Sequence, residues 1–281
     1  MKKPILKTNK SSEIDRVVLE HIKVPQNPPE MILVVGPCRT GTTALGNVFA
    51  RLGLISYMQP IKSMRRAVEE GAPVIDWTID QQQRVVFSKE TLGAKTESEF
   101  FDPVQELLKV GYQARKIHLI GTCRESRATL GSWVQMWGNI PMSGFVESYQ
   151  LIEKIMKRAQ KLGVRTTHYV QEAIGTNNPD LVLERLLDRV KVTLPSQNTR
   201  AADWKTGAIF GEENSKTVFF DVPPNRFVAG VKESQSYHFK LLLAQLTAKQ
   251  DEVLRNKGVY QIYSRFVKKC ENDLGITILE D

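Results

Sequence analysis

The sequence predicts an α/β fold in which a parallel β-sheet is flanked by helices. Three observations predict it. Short apolar runs alternate with stretches of helical apolar spacing along most of the chain, the pattern of repeated strand–helix units. One such unit, Met31 to Leu45, joins an apolar strand to a helix through a glycine-bounded loop. A second apolar strand, Lys116 to Thr122, runs straight into Arg124 and another helix. In parallel sheets of this kind, ligands sit beyond the C-terminal ends of the strands. The loops at Gly36–Thr43, Ser88–Thr91 and Cys123–Arg127 are therefore expected to converge on one rim.

Taken in order, residues 1–12 are polar and expected to form a flexible N-terminus. Ser12 to Ile22 carries helical apolar spacing, with Ser12 placed to cap it. Pro25 to Pro29 break that helix before a strand at 31–35. The helix that opens at Thr42 is expected to end near Gly53. Leu54 to Met58 reads as a strand, Ser63 to Glu70 as a helix, and Val85 to Phe87 as a brief strand leading into Ser88-Lys89-Glu90. A helix around 100–110 precedes the strand ending at Thr122, and the following helix runs to Trp137. Further helices are expected at 144–162 and 179–189, with a strand at Thr166–Val170 between them. Residues 195–230, rich in Pro, Gly, Asn and Ser, read as a loop- and hairpin-rich insertion with strands at Thr217–Asp221 and Phe227–Val231. Helices at 236–256 and 259–273 close the chain. Nothing repeats, and the whole span 1–281 is expected to form one domain.

Bulk composition narrows the classes. At 281 residues, 41% apolar and 25% charged, the chain resembles ordinary globular proteins. Its formal net charge of +8 suits an anionic ligand. The basic residues are scattered, with no nucleic-acid motif, so no nucleic-acid partner is expected. Three cysteines give neither a disulfide framework nor a CxxC pair, which points to a reducing, cytoplasmic compartment. The N-terminus lacks the apolar core of a secretory signal, and no run approaches a membrane span.

The loop carries the chemistry. Gly36, four residues, Gly41 and then Thr42-Thr43 keep the spacing of a phosphate-binding loop, but Thr42 stands where an NTPase has Lys. Backbone amides of the loop and the helix N-terminus can still hold an anion. Arg39 is the loop's only cation. The set Gly36, Pro37, Cys38, Arg39, Thr40, Gly41, Thr42 and Thr43 thus reads as a receptor for a phosphate-like group without the Lys that reaches β/γ-phosphates. A second receptor is expected at Arg124, at a strand end, and Ser132, eight residues later. One guanidinium and one hydroxyl so placed can grip a single phosphate. Trp133 and Trp137 read as core packing.

Together these motifs resemble the sulfotransferases that use 3′-phosphoadenosine 5′-phosphosulfate (PAPS). Arg39-Thr40-Gly41-Thr42-Thr43 matches that family's 5′-phosphosulfate loop, and Arg124 with Ser132 matches the spacing of its 3′-phosphate site. The resemblance extends weakly through His168–Glu172 and to Asp203-Trp204-Lys205. It implies a sulfotransferase-type P-loop nucleotide-binding architecture, PAPS as co-substrate with 3′,5′-ADP as product, no metal requirement, and a small-molecule or glycan acceptor. The implied reaction is in-line transfer of a sulfuryl group to a hydroxyl or amine. Arg39 would neutralise charge at the bridging oxygen, and Lys89-Glu90 would form the next catalytic pair, with Lys89 on the sulfuryl group and Glu90 as base. Some bacterial relatives place a Glu base just after the first helix, where this chain has Gln59. Asp102, Glu97, Glu99 and His118 stay open as bases. Rival readings are a nucleoside or nucleotide kinase with a degenerate loop, and a non-catalytic nucleotide-binding protein.

Overall fold

A computed structural model describes residues 6–93, 95–138, 141–194, 196, 199–204, 216–221, 230–239 and 245–278. Its centre is a six-stranded sheet in which every pairing is parallel. The elements in chain order are α1 (Leu6–His21), β1 (Ile22–Lys23), β2 (Glu30–Pro37), α2 (Thr42–Arg51), β3 (Ser56–Met58), α3 (Pro60–Glu70), β4 (Trp77–Thr78) and β5 (Val85–Leu92). They continue with α4 (Pro103–Lys109), β6 (Ile117–Cys123), α5 (Ser126–Trp137), α6 (Met142–Lys161), β7 (Arg165–Val170), α7 (Glu172–Thr176) and α8 (Pro179–Val190). The last are β8 (Thr217–Phe219), α9 (Ala248–Asn256) and α10 (Val259–Leu274).

The strand order is β7-β6-β2-β5-β3-β8. Met31 to Val35 are buried on both faces, as a central parallel strand requires. From β2 the chain builds β3 and β5 to one side and later β6 and β7 to the other. The C-terminal end of β2 is thus a topological switch point, the place where open α/β sheets form a crevice. Helix α2 flanks β5 and β3, α6 flanks β2 and β6, and α10 flanks β7. Phe49 of α2 stacks on Phe87 of β5 at 4.8 Å. No helix among the described residues is long and apolar enough to cross a membrane.

Several boundaries differ from expectation. Helix α1 begins before Ser12, within the segment expected to be loose. Strand β5 runs to Leu92, because β2 on one side and β3 on the other bond its residues beyond Phe87. Ser88–Thr91 is therefore strand, not loop. The helix expected from 236 starts at Ala248, where Thr247 and Gln250 form a capping box. A two-stranded parallel pair, β1 with β4, was not anticipated, since each strand is only two residues long. The expected strand at Phe227–Val231 falls outside the described residues except at Gly230 and Val231, which are helical instead.

Candidate functional site

The loop after β2 turns tightly, and its glycines have separate reasons. A Cβ on Gly36 would lie 2.0 Å from Thr122 Oγ1 and 2.5 Å from the Thr122 carbonyl oxygen on β6. Gly41 has φ +83°, a left-handed conformation that glycine adopts without strain, and a Cβ there would meet Gln171 Oε1 at 1.9 Å. Between them, Thr40 is fully buried; its hydroxyl donates to the Pro37 carbonyl at 2.8 Å and meets Thr122 Oγ1 at 2.8 Å. The Cys38 thiol donates to the Gly93 carbonyl, and the Cys38 carbonyl accepts from Trp133 Nε1 at 2.6 Å. These bonds tie the loop to β5, β6 and α5.

Helix α2 then opens at Gly41 with no side-chain cap. Its first amides and positive dipole end face a cavity of about 310 Å³, lined by Gly41, Thr42, Thr43 and Ala44. That volume lies at the small end of ligand-binding cavities. The cavity is strongly cationic: Arg39, Lys62, Arg66, Lys89 and Arg124 line it, against one carboxylate, Asp221, among the described residues. Arg39, itself at φ 72°, donates from Nε to Ser132 Oγ at 2.9 Å. Burial, together with the nearby charge of Arg124, lowers the Arg39 pKa from its ordinary value.

Strand β5 sorts the expected catalytic pair by its pleat. Lys89 sits on the α2 side with Phe87 and reaches Thr43 Oγ1 with Nζ at 3.3 Å. Burial brings its pKa down to about 8. Glu90 points from the opposite pleat and is fully buried outside the cavity lining. Its carboxylate accepts from the backbone amides of Ile61 at 2.8 Å and Lys62 at 3.2 Å, capping α3. Burial raises its pKa to about 8. Glu90 is thus a helix-capping carboxylate, and the expectation that it meets an acceptor is corrected.

The other expected bases are also turned from the cavity. Burial would raise the Glu99 carboxyl, but Lys62 at 3.2 Å and Arg66 at 2.8 Å overcome it and hold the pKa at about 2. Asp102 caps α4 through Val104 and Gln105 and pairs with Arg158 at 2.9 Å. His118 bonds Thr167 at 2.8 Å, and burial takes its pKa down to about 4. Neither these residues nor Glu97 line the cavity.

Of the second expected receptor, Arg124 lines the cavity from the end of β6. Its backbone is held by Tyr149, whose hydroxyl donates to the Arg124 carbonyl at 2.7 Å, and its guanidinium lies over Phe239 at 5.7 Å. Ser132 does not line the cavity; its hydroxyl is engaged with Arg39 instead. Gly36, Pro37 and Thr40 likewise shape the loop from beneath rather than facing the cavity.

Sequence reasoning missed several lining residues. Lys62 and Arg66 belong to no motif in the sequence, yet both line the cavity, and Lys62 is fully buried and bonds Thr91 Oγ1 at 3.2 Å. Gln59, at φ 58°, accepts from the Thr91 hydroxyl. Gln171 accepts from the Tyr237 hydroxyl at 2.9 Å, and Tyr237 stacks on Trp204 at 5.5 Å. Trp204 was visible only through the short Asp203-Trp204-Lys205 likeness, of which Lys205 lies outside the described residues. Trp137, expected in the core, lines the cavity, while Trp133 is buried.

No protein-family model matches this chain, and no curated protein matches it.

Proposed function

We propose that this protein transfers a sulfuryl group from PAPS to a hydroxyl or amine of a small molecule or glycan, releasing 3′,5′-ADP. The observation that carries this reading is the shared wall formed by the uncapped N-terminus of α2 with Arg39 and, one strand over, Arg124. Two cationic receptors at adjacent strand ends suit a nucleotide with separate 5′ and 3′ anionic groups. A triphosphate chain needs one continuous cradle, and Thr42 leaves the loop without the usual lysine. The residues fit such a donor: the amides opening α2 have no capping side chain, and Gly41, Thr42 and Thr43 line the cavity.

The donor supplies an activated sulfuryl group. Arg39 and the amides of Gly41, Thr42 and Thr43 hold its 5′ end and stabilise charge developing on the leaving phosphate. Lys89, fixed against Thr43, adds a buried cation on the side where β5 meets the loop. Arg124 holds the 3′-phosphate through charge-assisted bonds. Three free, buried cysteines support a reducing, cytoplasmic setting.

A thermal-shift comparison tests the reading. 3′,5′-ADP should raise the melting temperature well above the shift given by equimolar ADP, because only the former engages both receptors. EDTA should leave that shift unchanged. Equal stabilisation by ADP and 3′,5′-ADP, or an absolute requirement for Mg²⁺, would favour a kinase-type site instead.

A further inference from the structure

We infer that Asp221 is the catalytic base that accepts the proton of the acceptor group, an inference that rests on the sulfuryl-transfer reading. The sheet order divides the cavity. The donor-holding groups stand at the ends of β6 and β2, so the half over β5, β3 and β8 is left for the acceptor. That half is walled by Thr91, Met58, Gln59, Phe219 and Asp221. Asp221 follows β8 by two residues and is the one carboxylate among the described residues that line the cavity. Its side chain is 38% exposed, so an acceptor can reach it.

The surroundings suit the task. Arg66 on α3 lies 3.5 Å from Asp221 Oδ2, and Lys89 on β5 interacts with it electrostatically. His238 also lines the cavity, but its Nδ1 is engaged with the Ser236 carbonyl at 3.1 Å. In the step itself, Asp221 takes the proton from the acceptor O–H while that oxygen bonds to sulfur. The bond between sulfur and the 5′-phosphate oxygen breaks, and its electron pair leaves with 3′,5′-ADP.

The test compares native protein with Asp221→Asn, Asp221→Glu and His238→Ala, using labelled PAPS and two probes. One probe is 2-phenylethanol, which must lose a proton; the other is p-nitrophenol at mildly alkaline pH, which is already largely ionised. General-base catalysis contributes about 10²–10⁴-fold, so Asp221→Asn should lose at least about a hundredfold in kcat with the alcohol. It should keep most of the rate with p-nitrophenol, and Asp221→Glu should restore part of the alcohol rate. At neutral pH, below the Lys89 midpoint of about 8, affinity for 3′,5′-ADP should change little. A second readout needs no turnover: in the complex with 3′,5′-ADP, absorbance should show a larger phenolate fraction of bound p-nitrophenol in Asp221→Asn than in native protein, because the competing carboxylate is gone. The Asp221 assignment is overturned by equal losses with both probes, by no loss, by the same selective loss in His238→Ala alone, or by native protein that binds 3′,5′-ADP yet transfers to neither probe. Native protein that fails to bind 3′,5′-ADP overturns the sulfuryl-transfer reading itself.

Discussion

Arg39 and Ser132, 93 residues apart in sequence, are joined by a hydrogen bond of 2.9 Å from the guanidinium Nε to the hydroxyl. The bond fixes the loop's only cation against α5 and leaves the outer guanidinium nitrogens for the cavity. It also changes the role expected of Ser132, which orients a cation rather than meeting a ligand. Ser132→Ala should therefore weaken 3′,5′-ADP by about tenfold, the lower end of what a charged hydrogen bond contributes. Weakening should be similar for ADP, because the 5′ receptor is the one disturbed. Calorimetric titration of both nucleotides checks this; unchanged affinity would show that Arg39 is positioned without Ser132.

The two motif glycines should fail in different ways. Gly36→Ala drives a methyl into the Thr122 backbone at 2.5 Å, which no side-chain motion relieves. Gly41→Ala meets the side-chain ends of Gln171 and Tyr237 rather than backbone, but must hold a left-handed backbone, at a cost of about 1–2 kcal/mol. Overpacking between strands costs about 1–3 kcal/mol and sometimes more, so Gly36→Ala should be the less stable of the two in urea denaturation. Gly41→Ala should fold and bind poorly, because Gln171 is pushed off Tyr237.

Glu90 should prove structural. Its folded pKa is raised from 4.5 to about 8, so the native state holds this proton more tightly than the unfolded chain does. Stability from this group is fully present below the ordinary carboxylate value and is lost as pH rises through about 8. Glu90→Gln, which is neutral throughout, should gain on native protein as pH rises across that window. Melting temperatures of both proteins across it check the sign. The variant should also retain nucleotide binding; loss of binding would return Glu90 to the site.

Lys89 should impose an upper pH limit on ligand affinity. Burial lowers its pKa to about 8, so the free protein loses this cation above that pH. An anion beside Lys89 favours the charged form, so binding takes up a proton there. Affinity for 3′,5′-ADP should fall by up to about tenfold per pH unit above 8, and Lys89→Met should flatten the profile while weakening binding at neutral pH. Cys38, Lys62, Glu90 and Asp221 also act on Lys89 electrostatically, so the midpoint should move in variants of those residues. A profile unchanged in Lys89→Met would assign the limb elsewhere.

What the sequence disclosed follows physical range. The strands β2, β6 and β7 and helices α2, α5, α6 and α8 were legible because apolar periodicity is local and strong there. The Gly36–Thr43 turn was legible because its backbone demands glycine at fixed spacing. Glu90 was misplaced because the end of β5 depends on β2 and β3, partners that a local reading does not see. A strand ending at Phe87 leaves Lys89 and Glu90 together on a loop; a strand ending at Leu92 puts them on opposite faces. Lys62, Arg66 and Glu99 were illegible as an ion-pair cluster for the same reason: only tertiary packing brings α3 against Glu99. Asp221 was hidden because only the pairing of β8 with β3 brings it to the rim.

Nucleotide selectivity should reside in Arg124. Its backbone is pinned by Tyr149 and its guanidinium rests over Phe239, an arrangement that presents a flat fork at the end of β6. Arginine meets phosphate with two parallel bonds, whereas lysine offers a point charge. Arg124→Lys should therefore keep some preference for 3′,5′-ADP over ADP, and Arg124→Ala should abolish it. The loss should fall on 3′,5′-ADP alone, by about tenfold to a hundredfold, the worth of one or two charged hydrogen bonds. ADP affinity should hold steady or rise slightly, since Arg124 also opposes the charge on Arg39. Charge on Arg124 helps to offset the buried Glu172 carboxylate, so the alanine variant should also melt lower. Comparing the two nucleotides within each variant separates that loss of stability from the loss of recognition. Equal weakening of both nucleotides in Arg124→Ala would mean that this arginine supports the 5′ receptor, and the second anion site would have to lie elsewhere.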